Sequence, residues 1–108
     1  MEPDQPFVRD VFPDLVAELT VLLEVEGEYA PAVRAADLRL VDECGCGDGF
    51  CRSIRTADHR RGRPYGPGHR CVPLPPSKGM LIPDVVDDRI MYIEILDRPP
   101  MPRRTARP

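Results

Sequence analysis

Leu15, Leu19, Leu22 and Leu23 recur at i, i+4, i+7 and i+8, with Val16 beside them and Glu18, Glu24 and Glu26 turned away. That spacing predicts an amphipathic helix whose leucine stripe faces a core. The helix should begin at Phe12-Pro13-Asp14, because proline suits the first turn and an acid favours the positive end of the helix dipole. Gly27 is the expected C-cap, with a continuation to Tyr29 before Pro31 as the alternative. Residues 32–36 fit one short helical turn. Residues 38–44 and 50–56 then read as two strands around Asp48-Gly49, a dipeptide that supplies the positive φ angles of a two-residue hairpin turn. The runs 80–86 and 89–96, rich in Ile, Val and Tyr and split by Asp87-Asp88, predict a second hairpin.

The second hairpin is apolar on both sides. A regular two-residue turn puts Ile82 and Val86 with Met91, Ile93 and Ile95, and puts Leu81 and Val85 with Ile90, Tyr92 and Leu96. One helix covers one side, so the other must pack on the long loop, on the first hairpin or on a second copy of the chain. Pro83 lacks a backbone donor, which predicts an edge strand or a bulge there. An apolar edge of this kind favours a homodimer. The elements together predict an α+β fold: one N-terminal helix on a mostly antiparallel sheet of four or five strands, with a Cys-rich hairpin.

Composition sharpens the boundaries. The 108 residues include 14 Pro and 8 Gly, and these crowd into the cysteine turn, residues 57–79 and the two ends. Residues 1–11 read as a flexible arm, 12–98 as one domain and 99–108 as a disordered basic tail. The chain contains no apolar run long enough to span a membrane, and its first fifteen residues are acidic and proline-rich, unlike a secretory leader. These features predict a cytoplasmic protein. Fourteen Arg against one Lys, with no Asn, fits a GC-rich bacterial coding sequence. Residues 1–50 carry a net charge of −9 and residues 51–83 carry +6, so the two regions can attract each other within one fold.

The candidate chemistry lies in four thiols and two imidazoles. With the turn at Asp48-Gly49, Cys46 lies across from Cys51 and Cys44 lies two residues earlier, so three sulfurs share one face. His69 and Cys71 are likewise two apart. Cys44, Cys46 and Cys51 with either His69 or Cys71 predict a tetrahedral zinc shell that fastens the long loop of a thinly cored domain. Reduced metal-free thiols and a Cys46–Cys51 disulfide are the alternatives, the second disfavoured in a reducing compartment. The stretch 59–70 holds Arg60, Arg61, Arg63 and Arg70 with Tyr65, a set able to grip phosphates and stack on a base. Its plainer reading is a solvated loop paired with the acidic half of the chain. Cys51 or Cys71 with His59 or His69 would make a nucleophilic pair. No Ser-His-Asp set, phosphate-binding glycine loop or His-Glu-x-x-His is present, and Asp84, Asp87 and Asp88 read as turn and strand-end residues.

The stretch Cys44-Gly-Cys-Gly-Asp-Gly-Phe-Cys51, followed by Tyr65-Gly-Pro-Gly-His-Arg70 and Gly79-Met-Leu-Ile82, resembles a group of small actinobacterial proteins of unknown function. The end of the second hairpin, residues 87–97, is similar to a bacterial domain family that closes in Asp-x-Gly-x-x-x-x-Ile-Glu-Ile-Leu; Asp88 stands where that pattern has Gly. The resemblance implies a small α+β fold and supplies no activity. The resulting expectation is a non-enzymatic protein-binding or regulatory domain with a structural zinc site. A nucleic-acid-associated zinc domain and a thiol-dependent enzyme or redox protein are the alternatives.

Overall fold

The computed structural model describes residues 5–44, 50–59, 63–99 and 101–104. Helix α1 (Val8–Val11) leads into α2 (Pro13–Val25), followed by α3 (Tyr29–Arg34) and a 3-10 turn at Ala35–Asp37. Five strands follow: β1 (Asp42–Glu43), β2 (Ile54–Arg55), β3 (His69–Cys71), β4 (Met80–Val86) and β5 (Arg89–Leu96). They form one antiparallel sheet in the order β1-β2-β5-β4-β3. The architecture is α+β.

Helix α2 starts with Pro13 at its first position. It stops at Gly27 (φ +79°), where the Glu28 amide donates to the Leu23 carbonyl at 2.8 Å and the Gly27 amide to the Glu24 carbonyl at 3.0 Å. These are the paired bonds of a Schellman cap, which requires a left-handed residue just past the helix end. The chain then re-enters a helix at Tyr29, with Pro31 in the first turn of α3, where a missing amide costs nothing. Leu15, Val16, Leu19 and Leu23 are buried against Leu81, Val85, Ile90, Ile93 and Ile95 of the sheet. Burial of each such side chain contributes about 1.5–3 kcal/mol.

The hairpin β4–β5 turns through Asp87 (φ 49°) and Asp88 (φ 68°). Two consecutive positive φ values make this a type I′ turn. The register then slips, pairing Val85 with Ile90 but Asp84 with Tyr92, so Met91 is an extra residue on β5. This bulge overturns the predicted faces. Beyond it, Ile93 and Ile95 join Leu81, Pro83, Val85 and Ile90 on the buried side, while Ile82, Asp84, Val86, Tyr92, Glu94 and Leu96 turn away from the helices. A one-residue shift moves every later side chain to the opposite face. Asp88→Gly removes the strain of an L-residue at positive φ and is expected to raise stability by about 0.5–1 kcal/mol in urea unfolding. A lower midpoint would mean that the Arg70 guanidinium, 4.0 Å from the Asp88 carboxylate, matters more than the turn.

Pro83 does not lie at an edge. Strand β4 is interior, and Pro83 is fully buried. Its carbonyl accepts the Val72 amide at 2.9 Å, but it has no amide to return, and the ladder between β3 and β4 gaps there before resuming at the Leu74–Leu81 bridge. Beyond β3 this edge of the sheet therefore continues only as the isolated Leu74–Leu81 bridge.

Three further expectations are corrected. The segment 5–11 is not a loose arm where it is described: Val8 is fully buried, its amide bonds to the Leu38 carbonyl, and Arg9 and Arg39 pack over the Phe7 ring at 3.9 and 3.7 Å. Residues 38–40 pair with that segment, and only at Val41, whose amide donates to the Arg55 carbonyl at 2.9 Å, does the chain turn to β2, so Leu38 and Leu40 enter the core independently of the cysteine face. In the basic tail, residues 101–104 are docked: Met101 packs on the core, the Arg104 amide donates to the Val11 carbonyl, and Arg103 pairs with Glu43 at 2.9 Å.

Candidate metal centre on the open face of the sheet

Because β3 lies at the far edge from β2, the chain must cross the sheet between them. It does so on the face that the helices leave open. The crossing segment places His59, Arg63 and Tyr65 beside Arg55, Tyr92 and Asp84 of the sheet, bordering an open cavity of about 330 Å³. Tyr65 stacks on His59 at 4.4 Å between ring centroids and tilts against His69 at 4.7 Å. His59 Nε2 meets the Arg63 carbonyl at 2.9 Å, and Arg55 donates to the His59 carbonyl at 3.1 Å. The loop of the sequence reading is thus the cover that the second hairpin face needed.

At the β3 edge the register pairs Cys71 with Asp84 and His69 with Val86. His69 and Cys71 lie two residues apart in an extended strand, so both project on the open face with Asp84. His69 Nε2 lies 3.0 Å from Asp84 Oδ1, and the Cys71 thiol donates to the same oxygen at 3.1 Å. The three ligand atoms, one nitrogen, one sulfur and one oxygen, lie within 4.8 Å of one another. A group of this kind could hold a metal ion. The Asp84 carboxylate, by accepting the hydrogen bond, and partial burial push the Cys71 thiol above its ordinary range. Burial, followed by the Asp84 charge, does the same to the Tyr65 hydroxyl.

The remaining predicted ligands are placed elsewhere. The β1–β2 register pairs Asp42 with Arg55 and Glu43 with Ile54, the register that a two-residue turn at Asp48-Gly49 would set. Cys44 and Cys51 consequently share a face, and their sulfurs are 3.4 Å apart. Neither belongs to the His69–Cys71–Asp84 group. Cys46 lies outside the described residues, as do the turn residues 47–49 and Arg60 and Arg61 of the basic loop. Arg70 projects to the helix side and makes a bidentate pair with Glu28 at 2.7 and 2.8 Å, which holds the Glu28 carboxyl below its usual range. Arg98 pairs with Glu18. These contacts join the basic second half of the chain to its acidic first half.

Asp84 is the member of the group that the sequence reading assigned to strand ends. A carboxylate inside an otherwise apolar strand is costly without partners, and that is the signal that could have singled it out. No family model, curated protein or solved structure matches the chain. Among the described residues, no helix is long and apolar enough to cross a membrane.

Proposed function

We propose that this chain is a small non-enzymatic domain that binds zinc through His69, Cys71 and Asp84 and works through contacts with another protein. The observation that carries the reading is the convergence of three donors on one exposed sheet edge. Nitrogen, thiolate and carboxylate together suit zinc better than magnesium or calcium, which take oxygen ligands. On binding, Cys71 gives up its proton, and His69 ligates through the nitrogen now facing Asp84 while its proton moves to the other ring nitrogen. Three donors leave a fourth tetrahedral position for water or for a donor from a partner, and β3 is an edge strand open to one.

A catalytic role for the Cys71 thiol is disfavoured by the same geometry. A nucleophilic cysteine needs a base on its sulfur and a lowered pKa. Here His69 and Cys71 both address Asp84, whose hydrogen bond to the thiol raises its pKa. The nucleic-acid reading is disfavoured because Arg70 is held by Glu28 and Tyr65 is packed against two histidines.

Cobalt(II) titration tests the metal site. The native chain is expected to develop the thiolate-to-cobalt absorption of a tetrahedral site, and zinc should bleach it. Cys71→Ser and His69→Ala should lower cobalt affinity by at least a hundredfold. Equal cobalt binding by the native and Cys71→Ser chains would exclude this ligand set. Sedimentation with and without zinc reads whether a second copy supplies the fourth donor.

A further inference from the structure

Strand β3 ends the sheet, and all three of its residues are exposed. Val72 and Leu74 donate their amides to the Pro83 and Leu81 carbonyls at 2.9 Å. Hydrogen-bonded positions alternate along an antiparallel strand, so Arg70, opposite Val85, is the next residue whose backbone turns toward β4. His69 and Cys71 turn their amides and carbonyls outward. The His69 amide is taken by the Gly66 carbonyl at 3.3 Å. Cys71 presents both an amide and a carbonyl to the free edge, and its side chain stands on the open face with Asp84.

Resting on the zinc reading above, in which His69, Cys71 and Asp84 leave one tetrahedral position to fill, we infer that β3 pairs with β3 of a second copy in an antiparallel ladder centred on Cys71. Each copy's Cys71 thiolate supplies the fourth ligand of the other's zinc. A two-fold contact is isologous, so the strand meets itself, and two registers bring its outward groups together. Centring on Arg70 sets two guanidinium-bearing residues directly opposite at about 4.5 Å between Cα atoms, and like charges so placed are destabilising. Centring on Cys71 sets Arg70 against Val72 and joins the two Cys71 residues by reciprocal amide–carbonyl hydrogen bonds. Their side chains then emerge side by side on the open face, next to His69 and Asp84 of both copies. Each thiol loses one proton to solvent on metal binding; its sulfur then bonds its own ion and, through a second lone pair, the ion of the other copy. The charge of each zinc is matched by one thiolate and one carboxylate, so two filled sites can share the axis without repulsion. A ladder of three-residue strands falls far short of the roughly 1,200 Å² that a lasting interface buries. The metal therefore has to hold the copies together, and the metal-free chain stays a monomer.

Sedimentation velocity of the full chain tests the pairing. Added zinc should convert the metal-free monomer into a dimer; Cys71→Ser should abolish the conversion, and Cys44→Ser should retain it. A second measurement needs no variant: in hydrogen exchange followed by NMR, the Cys71 amide of the zinc dimer should exchange at least about tenfold more slowly than in the same zinc-loaded chain diluted to monomer. A native chain that shows the cobalt band of the proposed site yet stays monomeric with zinc overturns the pairing and leaves the zinc reading standing. Absence of that band from the native chain defeats the zinc reading and the pairing with it. A zinc-dependent dimer that persists in Cys71→Ser, or one whose Cys71 amide exchanges as in the monomer, also overturns the pairing.

Discussion

The Gly79→Ala chain is expected to unfold with about 3 kcal/mol less stability than the native chain, a fall in Tm on the order of 15 °C for a domain of this size. Gly79 sits at φ +72°, immediately before β4. An alanine there pays about 1–2 kcal/mol for its left-handed backbone. The larger part comes from space. A Cβ at this position would stand 2.5 Å from the carbonyl oxygens of both Leu96 and Asp97, and it would also meet the side chain of Arg98. Carbonyls belonging to the end of β5 cannot turn aside as a flexible side chain can, so the Met80–Leu96 end of the hairpin must open. Gly27 isolates the two contributions. It has a similar φ of +79° but open space around it, so Gly27→Ala should cost only about 1 kcal/mol. Urea unfolding of both variants checks the pair, and equal losses would remove the steric argument.

The same hairpin explains how far the sequence could be read. Local chemistry was legible: Pro13 at the first helical position, Gly27 past the last, and a two-residue turn at Asp87-Asp88 all act through neighbours a few residues away. The sheet faces were not, because the extra residue at Met91 has no local signature and reverses all that follows. Val8 and Phe7 read as part of a polar arm since their partners, Leu38 and Arg39, lie some thirty positions along the chain. The candidate centre divides in the same way. His69 and Cys71 were visible by their two-residue spacing. Asp84 joins them only through the β3–β4 register, and that register is set by tertiary packing beneath a long loop without a turn motif. The order of the strands, which carries the loop over the open face and brings Tyr65 onto His69, is likewise a property of the whole sheet.

If the proposed ligand set holds zinc, the ion at about a thousand times its dissociation constant is expected to stabilise the domain by about 4 kcal/mol, since a site assembled only by folding binds the folded chain in preference to the unfolded one. The pH dependence of this gain separates the proposed ligand set from adventitious binding. In the metal-free chain, Asp84 holds the Cys71 proton, and the folded pKa of that thiol is raised. The contribution of this proton to stability is complete below the ordinary thiol pKa and is lost as pH rises through the raised folded value. With zinc bound the sign reverses. The ion must displace the same proton, so below the thiol pKa the affinity contributed by Cys71 rises about tenfold for each pH unit. Thermal unfolding between pH 6 and 8 should therefore give zinc-dependent shifts that grow with pH, against a nearly flat metal-free baseline. Asp84→Asn removes both the ligand and the group that holds the proton. It should weaken zinc binding while making Cys71 alkylate faster at pH 8. Slower alkylation in that variant, or a zinc shift independent of pH, would show that Asp84 and Cys71 do not act on one ion.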